Sequence, residues 1–309
     1  MLQSGLTRML TYRNIPNFTY FEIQSKSNLL EKLYQAFSKD GSGVLTISEV
    51  PRLASVRQNL YQQSFQLAQL PQAEKLRLLS PASGYKIGWN EQKTPFGEIQ
   101  ASFTANPQED TFSNPPYSNL WPSQFPYFRS NFRVLGQILL ETTIHLSTHI
   151  DHFLDMHFPY SQLPRFESTI SSSSCHLSHL SQSLPFHQSS LKSMEKPWDL
   201  SSNIFSVFIS PIYHQHFSNE EEEQIITVKG NDAEETVLIN NDSICICIGK
   251  TAEKLSDGLF EAKPYLEVYD EKYKGMIRTN YFTQVIEDDL RVAVKSNQKK
   301  VGRVFARYT

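Results

Sequence analysis

Apolar residues change their spacing along this chain. In the first half they recur at intervals of three and four; in the second they come in short runs. Leu29, Leu30, Leu33, Ala36 and Phe37 predict a short amphipathic helix, broken by Gly41-Ser42-Gly43. Val44 to Ile47 reads as a strand. Pro51 opens a longer helix with Leu53, Val56, Leu60, Phe65, Leu67 and Ala68 as its apolar positions; Pro71 stops it, and Glu74 to Leu79 adds a turn or two. The clearest helix is Phe128 to Phe158, where Phe132, Leu135, Leu139, Leu146, Ile150 and Phe153 keep the helical interval until Pro159 and Pro164.

Two stretches lack such a pattern. Residues 84–119 are rich in Gly, Pro, Asn and Ser and read as long irregular loops. Ser168 to Ser193 is rich in serine, with His176, His179 and His187, and its composition favours a loop over a degenerate pair of strands. After it come strand-like runs at 204–209, 225–228, 237–239, 243–248, 265–268 and 281–286. Short strands at this spacing suggest a barrel or jelly roll. Helices first and strands second predict one α+β domain, with helices packed on a β core. No internal repeat is visible.

Composition narrows the picture. The 309 residues carry a net charge of −3, which leaves no nucleic-acid footprint, and no nucleic-acid partner is expected. No apolar run is long enough to span a bilayer as a helix. Three cysteines do not make a disulfide framework; Cys245 and Cys247 alternate with Ile244, Ile246 and Ile248, so they share one face of a strand as small apolar residues. Charge is uneven at both ends. Residues 1–21 hold Arg8 and Arg13 and no acid, with Leu2, Leu6, Met9 and Leu10 at helical spacing, a pattern shared by mitochondrial targeting segments and by ordinary basic arms. After Asp289 come Arg291, Lys295, Lys299, Lys300, Arg303 and Arg307, again without an acid, beside Val301, Val304 and Phe305. Basic and apolar residues together suit docking on a protein surface.

Several local motifs carry less than they promise. Residues 38–49 imitate a calcium loop, with Asp40, Ser42 and Glu49 at ligand spacing and Gly43 at the turn. Ser38 replaces the leading carboxylate, so a glycine turn into a strand is the better reading. His145 and His149 stand one helical turn apart, yet no third metal ligand is identifiable. His214 and His216 border the acidic run 220–223, which reads as a solvated loop.

Gly84-Tyr85-Lys86-Ile87-Gly88-Trp89, Ala101-Ser102-Phe103-Thr104-Ala105-Asn106-Pro107 and Leu120-Trp121-Pro122-Ser123-Gln124-Phe125-Pro126 resemble segments of the isopenicillin-N-synthase-like branch of the 2-oxoglutarate/Fe(II) oxygenases. Gly41 to Ile47, Val50 to Gln58 and Ala68 to Lys75 match it more loosely, and the likeness runs from about Leu29 to Ile286. It implies a double-stranded β-helix (jelly roll) core with N-terminal helices packed on it. It also implies an iron held by a His-x-Asp pair and a later His. Here Asp199 stands where the first His belongs, Ser201 where the Asp belongs, and Tyr265 where the second His belongs. The family anchors its cosubstrate with Arg and Ser; Arg278 persists, and Asn280 replaces the Ser. If Arg278 is buried it needs an acid, and Asp199 is one candidate.

These substitutions predict a protein without metal or cofactor, organised as a basic arm (1–28), an oxygenase-like domain (29–286, helix-rich to 164 and strand-rich from 165) and a basic extension (287–309). The expected role is an accessory or structural subunit of a large mitochondrial assembly, the respiratory chain foremost, near a membrane surface but not spanning it; otherwise the protein is cytoplasmic. Arg8, Arg13, Lys295, Lys299, Lys300, Arg303, Phe305 and Arg307 are the partner-contact candidates. Two alternatives stay open: an oxygenase with an unusual metal site recruiting Asp199, His214, His216 or histidines of the serine-rich stretch, and a small-acid sensor using Arg278.

Overall fold

Asn17–Thr19 (β1) lies parallel to Val44–Ser48 (β2), and the helix Tyr20–Gln24 (α1) follows at once. Its start is fixed by a capping box: Thr19 N–H donates to Glu22 Oε2 at 2.7 Å, and Glu22 N–H donates to Thr19 Oγ1 at 3.2 Å. Residues 17–24, assigned to the basic arm on composition, therefore belong to the folded body. This computed structural model describes residues 15–25, 27–93, 99–113, 116–159, 162–184, 198–214, 222–229, 234–267 and 276–288.

The helices fall close to their predicted places: Leu30–Phe37 (α2), Leu53–Ala68 (α3), Gln72–Arg77 (α4) and Phe128–His157 (α5). Each of α2, α3 and α5 buries its apolar stripe, and all three join one core cluster on a single face of a large sheet. Helix α5 approaches that sheet closely because residue 136 is glycine. A β-carbon there would stand 2.3 Å from the Pro107 side chain and 2.8 Å from the Tyr281 hydroxyl. Two short helices, Phe166–Ser171 (α6) and Lys250–Leu255 (α7), complete the α-helices among the described residues.

Strands appear where loops were expected. Within 84–119 lie Gly88–Lys93 (β3), Ile99–Ala105 (β4), Thr111–Ser113 (β5) and Pro116–Ser118 (β6). The serine-rich stretch supplies α6 and Leu177–Leu184 (β7), a strand inside the sheet with a partner on each side. Its apolar alternation is hidden by Gln182, which points at the helices and donates to Ser64 Oγ (3.0 Å) and Thr279 Oγ1 (3.3 Å). Composition misjudged β4 for a related reason: its core face is Ala101, Phe103 and Ala105, two of them too small to register. The helix-first, strand-later division fails accordingly, since six strands precede α5 among the described residues.

The remaining strands are Phe205–Ile209 (β8), Ile212–His214 (β9), Glu222–Lys229 (β10), Glu234–Asn240 (β11), Ile244–Ile248 (β12), Tyr265–Glu267 (β13) and Ile277–Val285 (β14). The large sheet runs β1-β2-β12-β8-β14-β7-β4-β3, with β9 also on β14; a small sheet runs β11-β10-β13. Residue 199 bridges to Tyr265, adding one more rung to the small sheet. From β7 onward the chain crosses repeatedly between the two sheets, which is the winding of a double-stranded β-helix. Strands β8 and β12 are buried throughout because helices cover one face and the small sheet the other.

The local motifs resolve as structural parts. Residues 38–49 form no metal loop: Gly43 turns at φ +73°, β2 begins at the next residue, and Thr46 Oγ1 donates to Asn17 Oδ1 at 2.9 Å. His149 Nε2 lies 2.9 Å from the Ile23 carbonyl, and the His145 ring meets Tyr20 edge-on at 6.2 Å, so both tie α5 to α1. Cys245 and Cys247 are buried on one face of β12, as their alternation requires.

Candidate functional site

Strand alternation decides what enters the space between the two sheets. From the large sheet come Phe208 of β8, Cys245 and Cys247 of β12 and Phe282 of β14; from the small sheet come Tyr265 of β13 with Ile226 and Val228 of β10. They form a second apolar cluster, separate from the one under the helices. Polar groups gather at its border.

Three residues singled out by resemblance meet there. Asp199 and Tyr265 exchange backbone hydrogen bonds, both 2.8 Å. The Tyr265 hydroxyl donates to Asp199 Oδ2 at 3.2 Å and lies 3.5 Å from Ser206 Oγ, which donates to Ser201 Oγ at 3.1 Å. Burial above all, and the neighbouring Cys247, push the Tyr265 phenol well above its ordinary range, so it remains a neutral donor. The row continues through Val228 to Glu235, a buried carboxylate that the sequence reading passed over.

This donor set suits iron(II) poorly. It offers one carboxylate, two hydroxyls and a phenol whose proton is directed at that carboxylate, where iron(II) oxygenase sites use imidazoles and a carboxylate. Among the described residues no group of three His, Cys, Asp or Glu converges. The histidines of the serine-rich stretch have other tasks. His176 Nε2 donates to the Ile170 carbonyl (3.0 Å), and its Nδ1 accepts from the Ile286 N–H (3.1 Å). His179 stacks on Phe282 at 4.6 Å and shares a 2.9 Å hydrogen bond with Thr104 Oγ1. Burial lowers both rings to about 4. His214 ends β9; His187 and His216 lie outside the described residues, as do Arg8, Arg13, Lys295, Lys299, Lys300, Arg303, Phe305 and Arg307.

Arg278 is a buried residue of β14, and its acid is not Asp199. Arg278 Nη1 donates to Glu267 Oε2 at 3.1 Å, and Asn280 Nδ2 donates to the same oxygen at 3.3 Å. Glu267 was missed, although it was readable: it follows Tyr265 by two on a predicted strand and so shares its face.

No protein-family model and no curated protein matches this sequence. Solved structures do. A protein of Caulobacter crescentus described as a 2OG-Fe(II) oxygenase family protein superposes with a TM-score of 0.68 at 15% identity, over 89% of this chain and 87% of that one. The chain has the 2-oxoglutarate/iron(II) oxygenase fold. Full-length Neurospora crassa T7H in complex with alpha-KG superposes at 0.64 and 13% identity, covering 89% and 84%. An oxygenase-described protein of Shewanella oneidensis gives 0.61 and 14%, covering 94% and 99%. The jelly-roll core with helices packed on it, expected from sequence, is the architecture these proteins share with this chain.

Proposed function

We propose that this chain is a non-catalytic relative of the oxygenases, of their isopenicillin-N-synthase-like branch, that works by binding other protein subunits. One observation carries the loss of catalysis: the Tyr265 phenol donates to the Asp199 carboxylate where metal ligands would have to converge. A cation bound through Asp199 Oδ2 competes with that proton donor and finds hydroxyls as its next ligands.

The test is metal loading. Purified protein is incubated without oxygen with ferrous ion and 2-oxoglutarate, desalted and analysed for iron, and then assayed for succinate. The proposal expects iron far below one per chain and no succinate. One iron per chain with succinate formation establishes the oxygenase reading instead, which the named functions of the structural neighbours favour.

The binding role rests on the termini. Both are basic and mixed with apolar residues, a composition suited to docking on an acidic protein surface. The acid-free arm with Arg8 and Arg13 supports import into mitochondria, where a respiratory-chain assembly is the first partner to look for.

A further inference from the structure

Two thiols face the inter-sheet space side by side. Cys245 and Cys247 are alternate residues of β12, so both side chains leave the same face of the strand, and both are buried. The backbone beneath them is held on both edges: Cys245 lies across from Phe208 of β8 and Thr46 of β2, and Cys247 across from Ser206 and Val44. The thiols are in hydrogen-bond contact with each other, and burial above all keeps Cys245 protonated, well above the ordinary thiol range. Distance decides what such a pair can join. Alternate residues of a strand stand about 6.8 Å apart at Cα. A disulfide needs Cβ atoms about 3.8 Å apart, so oxidation would have to buckle a strand that is paired on both sides. A linear sulfur–metal–sulfur unit needs only that the sulfurs stand roughly 4.5 Å apart, twice a metal–thiolate bond of about 2.3 Å. Neighbouring thiols reach that by small side-chain rotations.

The surroundings decide which metal. The pair sits among Val44, Phe208, Ile226, Val228 and the Tyr265 ring, and among the described residues no group of three His, Cys, Asp or Glu converges. Zinc needs four ligands and does not find them here. Copper(I) is soft, prefers thiolates and is satisfied by two of them in a line. We infer that Cys245 and Cys247 form a two-coordinate site for copper(I). Binding forms two copper–sulfur bonds and releases two protons, one from each thiol; the metal enters and stays as copper(I), so no electron is transferred. The bound unit carries a single negative charge spread over two sulfurs, half that of two bare thiolates. Neither cysteine stands at a position expected of an iron ligand, so the inference stands or falls apart from the reading of Asp199, Ser201 and Tyr265.

Competition for copper(I) tests it. Reduced protein is mixed without oxygen with the copper(I)–bicinchoninate complex, both as the native chain and during refolding from urea, so that slow entry into a closed interior does not mimic the lack of a site. The expected result is one copper withdrawn per chain, with X-ray absorption at the copper edge showing two sulfur neighbours and no nitrogen. Cys175→Ser, which removes the half-buried third thiol, should leave binding unchanged. Cys245→Val and Cys247→Val keep the apolar filling, and each should weaken binding by more than about a hundredfold, beyond the cost of losing an outer-shell partner. Failure to withdraw copper in both preparations, undiminished binding by either valine variant, or loss of binding in Cys175→Ser overturns the inference. If a valine variant does not fold, the copper spectrum of the native chain decides: two sulfurs alone support the site, and a nitrogen or oxygen neighbour refutes it.

Discussion

His176 is joined by hydrogen bonds to two segments distant in sequence, the end of α6 and the residue after β14, through both ring nitrogens. Only the neutral ring can donate from Nε2 and accept at Nδ1. Burial puts its folded pKa at about 4, against an ordinary value of 6.5, and His179 is shifted equally. The unfolded chain therefore binds these protons more readily. Stability from both groups is complete above about pH 6.5 and is lost as pH falls toward 4, by about 3 kcal/mol per ring. Asp151, raised by burial, acts in the opposite sense, but two backbone N–H groups counter its burial. Urea midpoints at pH 7.5 and pH 5 should show marked acid weakening, and His176→Gln should remove about half of it. None of this was legible beforehand. A histidine in a serine-rich run looks like a loop residue until the strand beside it is known. Arg278 was legible as a charge needing an acid, but only Asp199 was named for it, and the acid that pairs with it is Glu267, two residues beyond Tyr265 on the same strand.

At the scale of elements, periodicity worked where burial is one-sided and apolar, as in α5. It failed where polar side chains are buried, as in β7. The resemblance supplied what periodicity lacked, because its best-matched segments contain structural pegs. Asn119 Nδ2 donates to the Asn106 and Glu109 carbonyls, both at 2.9 Å, and its Oδ1 accepts the Asn106 N–H at 2.9 Å. Asp110 next to it accepts from Trp121 Nε1 at 2.9 Å and from the Arg129 guanidinium. This network anchors the loop between β4 and α5 and gives Asn106 and Trp121 of those segments a structural task. Asn119→Ala strands buried backbone groups and should lower stability by about 2–3 kcal/mol, read from the urea midpoint.

For the whole molecule, the jelly roll followed from the sequence and the partner did not. A fold is over-determined by many side chains, whereas the docking role proposed above rests on a few charges near the ends of the sequence. If the basic termini carry the binding role, removing residues 1–14 and 289–309 should leave Tm within a degree or two and abolish co-purification of native partners. Unchanged co-purification would move the interface onto the folded body. The order of strands has a consequence for biosynthesis. Strand β14 lies between β7 and β8, both of which leave the ribosome much earlier. Until residue 285 has emerged, the two halves of the large sheet have raw edges facing an empty slot, and a nascent chain in that state is a natural client for chaperones.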